Sequence, residues 1–361
     1  MFEFAIQMKT SNLLQTDELQ FGFKKKTSTS HALFTLQSTI DHFLSHGSNV
    51  YVAYLDCTKA FDRISHYGLF SKLIKRKMPL CILMCLIFWY MNMSCRVKWG
   101  TEISREFAVP LGIKQGGINS PDFFGVYFDD LVQLLRQLQI GCHMLGLFLA
   151  VLLFADDLVL MAPTRSALNK LIDNCSIYCK KFGLSFNAKK SKVMIFSKNT
   201  VTYDSIKPVS LDGLSLEYTN NVTYLGTTIV SEKGFTFSCN NDLVKFYRAS
   251  NSILTAVEKP SEEIVLQLLY TNCIPTLTYA CAIKTYTSKQ MQNCNTAVND
   301  ALRRIFGYNR WESIRVLRDS FGYKSITDIF GRARRKFYTV LPYHSNSIVS
   351  RIARNLPDIV E

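Results

Sequence analysis

From Ser28 to Phe43 the apolar residues Ala32, Leu33, Leu36, Ile40 and Phe43 recur at the spacing of one helix face, and His46-Gly47-Ser48-Asn49 ends the pattern as a turn. Val50, Val52, Tyr54 and Leu55 then form a short apolar run that stops at Asp56, as when a buried strand delivers a polar residue at its carboxyl end. Helical patterns follow from Tyr67 to Lys77 and from Cys81 to Met93, and the polar-apolar alternation of Val97 to Val109 predicts a hairpin. Gln115-Gly116-Gly117 reads as a loop, after which Pro121 opens a helix carrying Phe123, Phe124, Val126, Tyr127, Leu131, Leu134 and Leu135.

Leu147 to Leu153 and Leu158 to Met161 are two apolar strands with Phe154-Ala155-Asp156-Asp157 between them, so a pair of carboxylates is expected at a hairpin tip. Ser166 to Phe182 is an amphipathic helix, Val193 to Phe196 a strand, and Val209 to Leu216 a hairpin around Asp212-Gly213; beyond Thr236 the chain reads as mostly helical. No repeat at a solenoid period is present, which argues against an array. Pro79–Met93 and Met144–Met161 are apolar enough to suggest membrane spans, but the first is short and the second contains Asp156 and Asp157, so both are expected to be buried core.

Composition narrows the class. With 361 residues, 48% of them hydrophobic and 19% charged, the chain can bury a sizeable core. Lysine and arginine number 42 against 28 acids, a formal charge of +14 that suits a polyanion such as nucleic acid and would equally suit an anionic membrane surface. From Arg303 onward twelve basic residues face five acids, among them Arg332, Arg334, Arg335 and Lys336, so a cationic face is expected there. Eleven cysteines lie scattered through apolar stretches, the usage of a reduced intracellular protein. Cys81/Cys85 and Cys175/Cys179 have helical spacing but no second pair at zinc-finger distance, so they are read as buried thiols. The N-terminus has no signal-peptide pattern; an intracellular protein of the nucleus or cytoplasm is expected, neither secreted nor membrane-bound.

The chemistry lies in the acids. A strand ending in Asp56 and a later hairpin tipped by Asp156 can meet at one sheet edge, where the carboxylates would repel unless a cation sat between them. Magnesium, which takes oxygen ligands and completes its shell with substrate phosphates, is the natural occupant, and two such ions suit in-line phosphoryl displacement. Asp62 is read as a turn or cap residue. Asp129-Asp130 also follows an aromatic residue, but it falls within a helical pattern and is read as a solvated helix face.

At these residues a resemblance becomes specific. YVAYLDCTKAFDRI, GIKQGGINSPDFF and LLFADDLVLMAPT resemble three successive blocks of reverse transcriptases from retrotransposons lacking long terminal repeats. GLSFNAKKSKVMIF and VTYLGTTI resemble the next two blocks and QFGFKKKTST the upstream one, so the similarity runs in order from about Leu19 to Ile229. It implies an α/β (α+β) right-hand polymerase: partial fingers over residues 1–49, an antiparallel palm sheet with inserted fingers elements over 50–230, and a helical thumb with a basic end over 231–361. It further implies an RNA-directed DNA polymerase using two Mg2+ ions, or Mn2+, with RNA template, DNA primer and deoxynucleoside triphosphates as partners; oligomeric state stays unassigned. Carried onto this chain, Asp56, Asp156 and Asp157 become the catalytic, metal-holding carboxylates. Phe61 becomes the aromatic gate against a ribose 2′-hydroxyl, Gln115 and Gly116 the nucleotide-pocket lining, and Lys190 the lysine near the triphosphate, with Lys189 and Lys192 close enough to exchange places with it. Tyr224-Leu225-Gly226 resembles the turn that holds the primer end.

The chain departs from the family pattern at Lys26, where glycine is frequent, and at Asn119 and Asp122, usually apolar. It starts almost at the QFGF-like block and is read as an N-terminally truncated copy, without room for an endonuclease domain or for the rest of the fingers. Two other readings stay open: a folded remnant that binds RNA or DNA without turnover, and a two-metal nuclease or phosphatase using the same acids.

Overall fold

A computed structural model describes residues 1–203, 206–256 and 261–356. The chain divides into two compact units, Met1–Asn220 and Asn221–Glu361.

The first unit opens with helix α1 (Phe2–Thr10), which no pattern in the sequence announces, and α2 (Thr29–Ser45), whose buried face is the predicted Ala32, Leu33, Leu36 and Ile40 row. Strand β1 (Val50–Asp56) follows, then α3 (His66–Lys75), α4 (Leu80–Met91) and α5 (Ser120–Gln137). The two-stranded segments Ser94–Cys95 with Phe107–Ala108 and Lys98–Trp99 with Glu102–Ile103 form the hairpin expected over Val97–Val109. Strands β2 (Val151–Phe154) and β3 (Asp157–Ala162), helix α6 (Arg165–Lys181) capped by the Thr164 hydroxyl, and strands β4 (Lys192–Phe196) and β5 (Glu217–Tyr218) complete the unit.

These strands make one sheet in the order β5-β4-β1-β3-β2. All neighbours are antiparallel except β5 on β4, which is parallel. β1 sits at the centre, pairing Tyr51 with Ile195 and Ala162 and running out to Leu55 opposite Leu158. Its apolar run is therefore buried on both faces, and a one-residue slip would turn every side chain to the other face. The mixed α/β fold with a largely antiparallel sheet agrees with the sequence.

Polar ties hold the helices behind the sheet. Lys72 of α3, almost wholly buried, donates to Asp130 Oδ2 at 2.6 Å and to the Tyr178 hydroxyl at 2.8 Å, with its ammonium 4.3 Å from the Phe182 ring centroid. Burial pulls its pKa below the usual lysine range, with the Asp130 carboxylate opposing. Arg76 Nη2 donates to Asp129 Oδ2 at 2.5 Å, and Asp129 Oδ1 also accepts from the Asp17 backbone. Asp129-Asp130 is thus no solvated face: both carboxylates anchor neighbouring elements, and Asp129 is largely buried. The sequence missed this because the partners lie 53 and 58 residues away.

The expectation that Pro79–Met93 is buried core also needs correcting. Only Leu83, Leu86 and Tyr90 of α4 are buried, while Leu80, Met84, Phe88 and Met91 are more than half exposed. Cys81 and Cys85 are exposed with them, whereas Cys175 and Cys179 are buried as expected. Met144–Met161 is core apart from its acidic turn and the Leu145–Leu147 turn, where Gly146 is exposed. Among the described residues no helix is long and apolar enough to cross a membrane.

The second unit begins with the meander β6 (Asn221–Tyr224), β7 (Thr227–Val230) and β8 (Thr236–Ser238). Helices α7 (Asn240–Ala256), α8 (Glu262–Leu268), α9 (Ser288–Ile305), α10 (Ile326–Val340) and α11 (Ser347–Arg354) follow, as the mostly helical reading anticipated. Phe246, Leu269, Cys273, Ala297, Leu302 and Phe330 lie in its core. Lys284 Nζ donates to Asp242 Oδ2 at 2.6 Å, with the lysine side chain fully buried. The basic end is not one solvated face: Arg303 bonds Asp300 and the Glu312 carbonyl, and Arg334 reaches the Lys284 carbonyl. Arg332, Arg335 and Lys336 of α10 stay exposed, and Asp358 and Glu361 lie outside the described residues.

Removing one partner of the Lys284–Asp242 pair leaves a buried charge without compensation. Asp242→Asn is expected to lower the stability of this unit in urea unfolding by about 3–5 kcal/mol, and the double change Asp242→Leu with Lys284→Met to recover most of it.

Candidate active site

The site forms where β1 ends. Asp56 is its last residue and faces Asp157, the first residue of β3, as a directly paired position. Phe154 pairs with Asp157 across β2 and β3, so the connection is the two-residue turn Ala155-Asp156, with Ala155 at φ +58°. Opposed positions in an antiparallel pair hold their side chains on one face about 5 Å apart, so the register alone forces two carboxylates together and the turn adds a third. Asp157 is pushed up to about 6, first by partial loss of solvent and then by the charges of Asp156 and Asp56. The neighbouring Cys57 thiol is pushed up to about 12 by burial, with Asp156 and then Asp56 adding to the effect.

A second turn braces Asp56. Its backbone N–H donates to Ser191 Oγ at 3.1 Å and its carbonyl accepts from Asn187 N at 2.8 Å. Cys57 bridges Phe186, and Thr58 N donates to the Ser185 carbonyl at 2.9 Å. Lys190 belongs to this Asn187–Ser191 turn and is exposed, as is Lys189. Lys192 is drawn to Glu217 at 3.3 Å instead, which leaves the first two as the lysines beside the end of β1.

Phe61 starts a short 3-10 turn, Phe61–Arg63, after β1. Its ring stacks on Phe124 of α5 at 4.2 Å and 14°, and Phe23 meets its edge at 6.0 Å. It is half-buried, held by packing on one face. The Phe61 carbonyl accepts from Ile113 N at 3.0 Å, and Gly112 lies so close that a Cβ there would stand 2.9 Å from the Asp62 carbonyl oxygen. Gln115 Nε2 donates to Asp62 Oδ1 at 3.1 Å. Asp62, read only as a turn residue, therefore ties the Gln115 loop to the Phe61 turn. Gly116 has φ +81° and open space around it, so conformation rather than crowding favours glycine there.

Helix α1 holds the far side of that loop. Glu3 accepts from Ile118 N through its carboxylate and from Asn119 Nδ2 through its carbonyl at 2.9 Å, and Gln7 donates to Asp122 at 3.1 Å. The polar residues Asn119 and Asp122, unusual for the resembled pattern, are matched to these partners. Lys26 adopts φ +64°, a conformation in which glycine is unstrained, which is why glycine suits that position in the resembled family. Tyr224-Leu225-Gly226 forms the tight β6–β7 turn, with the Leu225 carbonyl accepting from the Tyr279 hydroxyl at 3.0 Å.

Among the described residues no group of three or more His, Cys, Asp or Glu side chains is arranged so as to hold a metal ion. The mutually repelling carboxylates are nonetheless the donor set that suits a hard, oxygen-seeking divalent ion, which takes one or two protein carboxylates and fills its remaining positions with water and phosphate.

A family model described as reverse transcriptase (RNA-dependent DNA polymerase) matches residues 5–229. The chain is 29% identical over 182 residues to a retrovirus-related Pol polyprotein from the type-2 retrotransposable element R2DM of Drosophila melanogaster, covering 50% of this chain and 17% of that protein. It is 27% identical over 287 residues to the type-1 R2 polyprotein of Popillia japonica, covering 75% and 45% respectively. A probable RNA-directed DNA polymerase from transposon X-element of Drosophila melanogaster is 23% identical over 99% of this chain and 40% of its own length. The chain thus spans less than half the length of each of these relatives. Among solved structures, apo telomerase from Candida tropicalis is similar with a TM-score of 0.49 and 13% identity, covering 98% of this chain and 55% of that one. The family match extends across both strands and the turn that carry the acids: the chain belongs to the reverse transcriptase (RNA-dependent DNA polymerase) family.

Proposed function

We propose that this chain is the RNA-directed DNA polymerase of a retrotransposon lacking long terminal repeats, extending a DNA primer on an RNA template. The single observation that carries the reading is the convergence of Asp56, Asp156 and Asp157 at the end of β1. In the reaction the primer 3′-oxygen forms a bond to the α-phosphorus of a deoxynucleoside triphosphate, and the bond from that phosphorus to the bridging oxygen breaks, releasing pyrophosphate. Asp56 and Asp156 would hold divalent ions with Asp157 in support, and those ions, when bound, supply stabilisation to the attacking and leaving oxygens.

The remaining residues act around that centre. Phe61, fixed by its stack on Phe124, presents an edge that a 2′-hydroxyl would strike, so deoxynucleotides are preferred. Gln115, held by Asp62, supplies a polar pocket wall, and Lys190 stands where an ammonium would neutralise charge building on the departing pyrophosphate. Residues 1–49, 50–230 and 231–361 correspond on this reading to fingers, palm and thumb. The exposed Arg332, Arg335 and Lys336 would contact phosphates irrespective of sequence.

Magnesium-dependent incorporation on an RNA template with a DNA primer tests the reading. Asp156→Ala is expected to reduce incorporation at least about 100-fold while leaving template-primer affinity within about threefold, since it removes an interaction realised in the transition state. Binding without incorporation by the folded native chain would make it a nucleic-acid-binding relative without turnover, and cleavage without nucleotides a nuclease. Phe61→Val is expected to raise ribonucleotide incorporation relative to deoxynucleotide by about 10-fold or more, read from the ratio of kcat/KM values, because it removes a clash rather than a contact. An unchanged ratio would exclude the gate.

A further inference from the structure

The segment Leu19-Gln20-Phe21-Gly22 runs along the outer edge of β2. Leu153 N donates to the Leu19 carbonyl at 2.9 Å and Phe21 N to the Leu153 carbonyl at 2.7 Å, one parallel bridge centred on Gln20. Leu19 and Phe21 are fully buried and Gln20 is 2% exposed, so a polar side chain is enclosed one residue from the acidic turn.

The contacts of that side chain are unequal. Gln20 Oε1 accepts from Gly22 N at 3.0 Å and from Ala155 N at 3.3 Å. Nε2 is buried with no hydrogen-bond partner. An orphan donor of this kind is unfavourable, and the amide is held here by its oxygen alone. The N–H it accepts from belongs to Ala155, whose left-handed backbone is strained for a residue with a Cβ.

Gly22 gives a second, independent observation. A Cβ there would stand 3.0 Å from the Phe154 carbonyl carbon and closer still to the Ala155 amide nitrogen, both backbone atoms that cannot rotate away. The absent side chain lets residues 20–22 lie flush against the turn.

We propose that Gln20 is a positioning residue of the polymerase site, its side-chain oxygen clamping the Ala155-Asp156 turn while the bare Gly22 backbone seats against it, so that the carboxylates are held where they receive metal. The inference rests on the reading of Asp56, Asp156 and Asp157 as metal-holding residues. It assigns to the QFG segment a function at the acidic turn, through contacts spanning 135 residues of sequence.

Two variants test it: Gln20→Met, which keeps the volume and removes the acceptor, and Gly22→Ala. Each is compared with the native chain for Mn2+ affinity by electron paramagnetic resonance of the free ion, thermal unfolding, template-primer affinity, and the kcat and KM of primer extension. Gln20→Met and Gly22→Ala are expected to fold, to weaken Mn2+ binding by about 10-fold or more, as loss of a group orienting metal ligands does, and to lower kcat with KM and template-primer affinity unchanged. Should Gln20→Met not fold, Gln20→Asn, one methylene short of the Ala155 amide, replaces it with the same expected loss. Native Mn2+ affinity in Gln20→Met overturns the proposal. A native chain that binds Mn2+ but incorporates nothing removes the polymerase reading, while the Mn2+ comparison still decides the role of Gln20.

Discussion

Three carboxylates crowded at the end of one strand repel one another, and the first unit is built to hold them there. The restraint comes from backbone pairing. β1 lies between β3 and β4, so Asp56 cannot withdraw without breaking its pairing with Asp157 on one side and its hydrogen bonds to Ser191 and Asn187 on the other. The register that sets Leu55 opposite Leu158 sets Asp56 opposite Asp157 one step later, and burial of the apolar run makes that register expensive to change. Burial first, and the charges of Asp156 and Asp56 after it, raise the Asp157 carboxyl. On the proposed reading a divalent cation would offset that repulsion, so an arrangement costly in the free protein would favour metal binding.

The ties outside the sheet serve that restraint. Arg76, at the C-terminal end of α3, donates to the carbonyls of Leu13 and Gln15 as well as to Asp129, and Arg136 of α5 pairs with Asp17 at 2.6 Å. Together they fasten residues 13–17 onto two helices, and the chain leaves this anchor directly into Leu19–Gly22 against β2. Asn187 and Ser191 brace Asp56 from the opposite side. Buried and half-buried polar groups thus act here through direction: each hydrogen bond fixes one segment relative to another, where apolar packing alone would tolerate sliding.

Much of this was legible in the sequence because it is local. The α2 row from Ala32 to Ile40, the strand ending at Asp56, the Pro121-led helix and the two apolar strands around Ala155-Asp156 all emerged with ends shifted by a few residues. The α4 error has a physical reason too. Its residues are apolar all round, so periodicity cannot say which face is covered, and only Leu83, Leu86 and Tyr90 proved to be.

The amino-acid sequence by itself therefore determined the elements, the order of the family blocks and which acids end up at strand ends, since these depend on neighbours within a few residues and on backbone periods of two and 3.6. The tertiary structure alone decided that Asp129 and Asp130 are anchors, that Lys192 turns to Glu217, that Asp62 holds Gln115, and that Gln20 reaches the acidic turn. Those interactions join residues 25 to 135 positions apart. No period marks such a pairing in the chain, because a side chain finds its partner only after the sheet has brought the two segments together.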